Sequence, residues 1–172
     1  MRSIILTHHD LDHVGGISDF PWADVYVSRK QVDLIIPALR RDMARRLHPA
    51  QWSHTPQWAP VDLLETWRSR PARRVSDQLR LVALDGHIDG HCAVVIDREG
   101  RSPLIHAGDA IMDARTDLFG GSAPLGLLAF QYKTRTDARA WKESRAWLKE
   151  CVDEGMDVVC SHDPNPRITG SH

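Results

Sequence analysis

No apolar run in this 172-residue chain is long enough to cross a bilayer. A spanning helix needs about 20 apolar residues, and runs such as Ile4-Ile5-Leu6 fall far short of that. A helical membrane protein is therefore excluded. The N-terminus lacks the charged-then-apolar pattern of a secretion signal, so a cytoplasmic location is expected. Cysteine is scarce. Cys92, Cys151 and Cys160 form an odd set with no close pair and no CxxC, which excludes a disulfide framework and a zinc knuckle. They read as three small buried hydrophobes. Internal repeats and low-complexity segments are absent. With a formal net charge of −1, the chain also lacks the basic balance of a nucleic-acid binder.

What is present fits one soluble globular domain spanning residues 1–172, with 42% hydrophobic and 26% charged residues and no room for a second domain of normal size. Charge is unevenly spread. From Arg29 to Arg80 there are eleven Lys/Arg and five Asp/Glu, a local +6, so the remainder carries −7. The basic stretch either attracts an anionic substrate or is a solvated face.

Strands are expected over Ser3–Thr7, Asp24–Ser28, Gln78–Leu84, Cys92–Asp97, Pro103–Ala107 and Asp157–Cys160, with a turn at Asp97–Gly100. Val32, Ile35, Ile36 and Leu39 space one helical face over Arg29–Leu47, broken at Pro37. The Trp- and Pro-rich stretch His48–Pro60 reads as a loop or lid, and Leu118–Phe130 as loop plus a short apolar segment. Asp137–Glu154 is a helix with Thr136 as its N-cap. The mixture is a layered α/β protein.

Chemistry concentrates in Thr7-His8-His9-Asp10-Leu11-Asp12-His13-Val14-Gly15-Gly16, where five potential ligands occupy six positions directly after a strand. Imidazole and carboxylate together suit zinc, manganese or iron. The two glycines let the backbone turn tightly. Later come Asp85-Gly86-His87-Ile88-Asp89-Gly90-His91, His106-Ala107-Gly108-Asp109-Ala110 and Val158-Val159-Cys160-Ser161-His162. From His13 the separations to His87, Asp109 and His162 are 74, 22 and 53 residues in turn.

These four segments, in this order, resemble the metallo-β-lactamase superfamily. The first resembles its T-H-x-H-x-D-H-x-G-G pattern, with Asp10 standing where the second histidine normally does. The others resemble the P-G-H-T-x-G-H segment, the strand-end G-D-A/S and the final strand with its histidine. The resemblance implies an αβ/βα sandwich and a dinuclear site. His8 and His87 would bind the first metal, with Asp10 in the slot of a further ligand to it. Asp12, His13 and His162 would bind the second, and Asp109 would bridge. It further implies a hydrolase in which a metal-bound hydroxide, oriented by the catalytic Asp12, cleaves an ester, lactone or similar bond in a small molecule. Two divalent ions are the expected cofactors, zinc first, with manganese or iron also suited.

The remaining histidines carry weaker expectations. His9 alternates away from its neighbours, His91 is a supporting hydrogen-bonded or strand residue, and His106 is a core residue on a buried strand. His48, Trp52 and His54 are candidates to line a substrate pocket, with Trp58 beside them, and His172 is terminal. Asp10 makes the site harder and more anionic. A carboxylate in that slot also resembles the diiron flavoprotein branch, which has glutamate there, so a diiron redox enzyme is the alternative, as is an inactive metal-binding fragment. The superfamily normally places several strands before its first pattern, which here begins at the seventh residue. The expectation is a sandwich lacking the first strands of its N-terminal half, either a fragment or a reduced form that covers the exposed layer by forming a homo-oligomer.

Overall fold

The computed structural model describes residues 1–35, 46 and 53–163, and the chain divides into two compact units, Met1–Asp62 and Leu63–His172.

In the first unit, strand β1 (Ser3–Ile5) leads into a one-turn helix α1 (Leu11–Val14). Strand β2 (Asp24–Ser28), helix α2 (Arg29–Ile35) and strand β3 (Gln57–Val61) follow. The three strands pair in parallel in the order β1-β2-β3, with Ile4 opposite Val25 and Val27 opposite Pro60. Leu6, Val14, Ile17, Val25, Val27 and Val32 form the core. Each such side chain contributes about 1.5–3 kcal/mol on full burial. The loop expected over His48–Pro60 is corrected at its end, because Gln57–Pro60 belong to β3. Pro60 hid the strand. It is tolerated because β3 is an edge strand, where a missing N–H need not break a ladder bond. The described part of the Arg29–Leu47 helix is α2, and Pro37 lies outside the described residues.

The second unit is a six-stranded sheet in sequence order, β4 (Glu65–Trp67), β5 (Arg70–Arg74), β6 (Leu79–Ala83), β7 (Cys92–Ile96), β8 (Leu104–His106) and β9 (Asp157–Val159). Every pairing is antiparallel except β8–β9, which is parallel. Between β8 and β9 lie helices α3 (Ala114–Phe119), α4 (Leu125–Thr134) and α5 (Ala138–Asp153). Val82, Leu84, Ala93, Val95 and Ile105 share one core with Trp147, Leu148 and Cys151 of α5. The buried α5 positions Trp141, Ser144, Trp147, Leu148 and Cys151 recur at helical spacing, as expected for one apolar face.

Three elements depart from expectation. The β4–β5 hairpin turns through Arg68 (φ 48°) and Ser69 (φ 64°), without the glycine or asparagine such a turn favours. The turn is pinned by Trp147 Nε1 donating to Arg68 O at 3.0 Å and by the Arg68–Glu154 ion pair. The segment Leu118–Phe130, read as loop plus a short apolar segment, holds the end of α3 and the start of α4, which runs on to Thr134. Asp113 caps α3 through bonds from Arg115 N (2.9 Å) and Thr116 N (3.3 Å), and Gly120 ends it at φ 73°. Helix α4 carries apolar residues on several sides, with Leu125, Phe130 and Tyr132 exposed, so no single stripe announces it. The N-cap of α5 is Asp137 rather than Thr136, because the Asp137 carboxylate accepts from Arg139 N (2.8 Å) and Ala140 N (3.0 Å).

All three cysteines are free and buried. Burial, with nearby Asp163 adding to it, pushes the Cys160 thiol up to about 12, which keeps it unreactive. Among the described residues no helix is long and apolar enough to cross a membrane.

Candidate metal-ligand clusters

In the first unit the chain leaves β1 through Leu6, whose N–H still bonds Tyr26 O at 2.9 Å, and the next residues are the ligand-type cluster. His8 is fully buried, with Nδ1 3.0 Å from Thr7 Oγ1. If Nδ1 carries the hydrogen and donates to that hydroxyl, Nε2 keeps its lone pair. His8 Nε2 lies 3.4 Å from Asp10 Oδ2. The His8 and His13 rings are stacked obliquely at 4.1 Å, and His13 Nε2 is 3.7 Å from Asp12 Oδ2.

Asp10 precedes α1 in the N-cap position with extended backbone, yet its carboxylate caps nothing. Both oxygens go instead to Arg46, with Nε donating to Oδ1 at 2.5 Å and Nη2 to Oδ2 at 2.6 Å. His9 points into the unit, its backbone N–H bonded to the buried Gln31 Oε1 at 3.0 Å. Burial lowers its imidazole to about 4, against the opposing pull of Gln31 and Asp10, so the ring is neutral at physiological pH.

In the second unit the ligand-type residues sit where strands end. His87 lies in the loop between β6 and β7. Asp109 and His162 follow β8 and β9, the adjacent parallel pair, at their carboxyl ends. Asp109 Oδ2 is 3.6 Å from His87 Nε2 and 3.3 Å from His162 Nε2. His87 and Asp109 are buried, while His162 is exposed.

The supports are specific. His91 is fully buried and accepts from Asp109 N–H through Nε2 at 3.1 Å. Its Nδ1 must then carry the proton and donate to Leu84 O at 3.1 Å, so one neutral ring ties the Asp109 loop to the end of β6. His91 is thus hydrogen-bonded through both ring nitrogens. The backbone of the His87 loop is held by Thr136 N–H donating to Gly86 O (2.9 Å) and His87 O (3.1 Å). Behind Asp109, the buried Asp117 carboxylate takes bonds from Met112 N (2.9 Å), Asp113 N (3.3 Å) and Gln131 Nε2 (2.9 Å), and pairs with Arg145 at 2.8 Å.

The donor sets fit divalent cations. Two ligands about 2.1 Å from one tetrahedral cation lie roughly 3.4 Å apart. The imidazole–carboxylate separations here, 3.4 and 3.7 Å in the first unit and 3.3 and 3.6 Å in the second, match that spacing better than a short hydrogen bond.

Each unit thus gathers its own share of the expected ligands. His8, Asp10, Asp12 and His13 lie in one loop and turn, and His87, Asp109 and His162 at one sheet end. His54 is half-buried, while His48, Trp52 and His172 fall outside the described residues. His106 is half-buried rather than deep in the core, with Nδ1 accepting Gly108 N–H at 3.3 Å. Arg46, Thr7 and Asp117 were not anticipated. Arg46 is 36 positions from Asp10, and no local pattern marks it.

Comparison with known proteins gives these observations a lineage. The family model described as Metallo-beta-lactamase superfamily matches residues 2–162. Two proteins named as probable metallo-hydrolases, from Mycobacterium bovis and Mycobacterium tuberculosis, are each 31% identical over 177 residues. The alignment takes in 96% of this chain and 56% of theirs, so the chain spans little more than half the length of these relatives. Among solved structures, an N-acyl homoserine lactone hydrolase with the product N-hexanoyl-L-homoserine bound at its catalytic metal centre superposes with a TM-score of 0.67 at 20% identity, covering 95% of this chain and 56% of that one. A dizinc quorum-quenching lactonase gives 0.64 at 21% identity over 96% of this chain and 58% of its own. A metal-dependent hydrolase of Staphylococcus aureus, named as probable, gives 0.70 at 16% identity over 96% and 56%. At these identities the structural likeness speaks for the fold. The chain belongs to the metallo-β-lactamase superfamily and has its α/β fold.

Proposed function

We propose that this chain is a metal-dependent hydrolase acting on a small-molecule ester or lactone. The observation that carries the reading is the donor geometry, in which imidazole nitrogens and carboxylate oxygens keep tetrahedral-ligand spacing within each unit. In this reading, which follows the family resemblance, His8, Asp10 and His87 would hold one cation, Asp12, His13 and His162 would hold the other, and Asp109 would be a ligand they share. Zinc suits the histidines best, and the three carboxylates also admit manganese or iron. Such cations, when bound, polarise a substrate carbonyl and bring the pKa of water near neutrality.

The chain's own residues do the positioning. In this reading the Asp12 carboxylate, whose side chain is 59% exposed, accepts a hydrogen bond from the nucleophile and orients it. His91 fixes the Asp109 backbone, and Thr7 fixes the His8 ring. The lactonase likeness supports the carbonyl substrate class, and the basic stretch from Arg29 to Arg80 suits a substrate or product with a carboxylate.

The test combines metal analysis of the purified chain with a panel of chromogenic esters, lactones, β-lactams and phosphodiesters. Turnover of an ester or lactone, removed by chelation and restored by zinc or manganese, is expected. Activity confined to phosphodiesters would redirect the substrate class. Bound iron with a visible absorption band and no hydrolysis would favour redox chemistry instead.

A further inference from the structure

Asp10 is the one position where the first ligand cluster departs from its family pattern, and the structure supplies it with a partner. Replacing a neutral imidazole by a carboxylate adds one negative charge, and the Arg46 guanidinium adds one positive charge back. The pair is a two-pronged fork, 2.5 Å on Oδ1 and 2.6 Å on Oδ2, with Asp10 only 13% and Arg46 only 19% exposed. Shielding from water and salt strengthens such a pair. The Asp10 carboxylate has given up the role its backbone position offers, since the residue stands at a helix N-cap and its side chain caps none of the helix N–H groups. Its Oδ2 also lies 3.4 Å from His8 Nε2, the spacing of two ligands on one cation.

We propose that Arg46 is a built-in counter-ion that competes with metal for Asp10 and makes that cation position the weaker of the two. This rests on the reading of the two clusters as metal ligands. A dication approaching Oδ2 either shares that oxygen with Arg46 Nη2 or displaces the guanidinium. Both routes place it near a fixed positive charge in a partly desolvated setting, where like charges repel most. Asp12, expected at the second position, is 59% exposed, so water and salt screen the charges around it far more than around Asp10. Metal loading is therefore stepwise, with Arg46 setting the gap between the steps.

The experiment is a zinc titration of the metal-free 172-residue chain by calorimetry, with metal-to-protein ratios after equilibrium dialysis as a second readout. The wild type is expected to show a tight and a weak step. Arg46→Met should tighten the weak step by about tenfold or more and leave the tight step unchanged. Arg46→Gln removes the charge while keeping a hydrogen-bond donor for Asp10, and should tighten the same step if methionine is not tolerated. Arg46→Lys keeps the charge and should move it least. A weak step that is unchanged or weaker in both neutral variants overturns the proposal. If Asp10→Ala still abolishes that step, the metal-ligand reading survives. A wild type that binds no metal, or two steps that ignore both Asp10→Ala and Asp109→Ala, sinks the reading and this inference together.

Discussion

Asp109→Asn is expected to lower kcat/KM for the proposed ester or lactone substrate by about a thousandfold and to release metal on dialysis, without lowering the melting temperature of the metal-free protein. A bound cation supplies several kcal/mol of transition-state stabilisation, and about 1.4 kcal/mol is a factor of ten in rate. Asp109 faces two imidazoles, His87 at 3.6 Å and His162 at 3.3 Å. Without a cation it is a buried acid among neutral or weakly basic groups, a costly arrangement for folding. Neutralising it should leave thermal stability unchanged or raise it. Asparagine keeps the shape and the backbone N–H bond to His91, so the geometry survives the charge change. Full activity with full metal content in the variant would exclude Asp109 as a ligand. Loss of activity together with a collapsed melting temperature would make its role structural.

Gly86→Ala should be strongly destabilising, costing roughly 4 kcal/mol from strain and overpacking combined. Gly86 has φ +128°, a region side chains rarely adopt. An added Cβ would lie 2.2 Å from Trp141 N and 2.3 Å from Trp141 Cα, which are backbone atoms of α5 that cannot yield like a flexible side chain. The same close approach lets Gly86 O take N–H bonds from Thr136 at 2.9 Å and Asp137 at 3.1 Å, fixing the loop that carries His87. Gly100 is the control. It also has positive φ, +66°, but its added Cβ would meet nothing within 4 Å. Gly100→Ala should cost only about 1 kcal/mol. Denaturant unfolding of the two variants decides the matter, and equal losses would show that helix packing on Gly86 contributes nothing.

The ligand-type residues were legible because imidazoles and carboxylates seldom crowd six consecutive positions for packing alone. The strands that carry them were legible because Leu81, Val82, Val95 and Ile105 lie in short apolar runs between polar breaks. What stayed hidden depends on partners remote in sequence. The turn at Arg68-Ser69 lacks the residues that usually permit its backbone, and Trp147 and Glu154 hold it from 79 and 86 positions away. Strand β3 was concealed by a proline that only an edge can accept. Helix α4 has no apolar stripe to read. Asp10 was visible as an oddity in the pattern, but its guanidinium partner was not, because an ion pair across 36 residues leaves no periodic trace.

The single parallel pairing of the larger sheet sets an order in time. Strands β4 to β8 each pair with the next strand in the chain, so they can assemble through short hairpins. Strand β9 joins β8 only after three helices have intervened, with Leu104 meeting Asp157. Closing so long a loop is slow relative to a hairpin. His87 and Asp109 are therefore expected to reach their places before His162, which follows β9. Pulse-labelled hydrogen exchange during refolding should protect the β6 and β7 amides first and the β8–β9 amides last. Simultaneous protection of all four would mean that the sheet forms in one step. If these residues bind metal as proposed, a nascent or partly unfolded chain would be a different chelator from the finished one, with an incomplete set of ligands until β9 locks in.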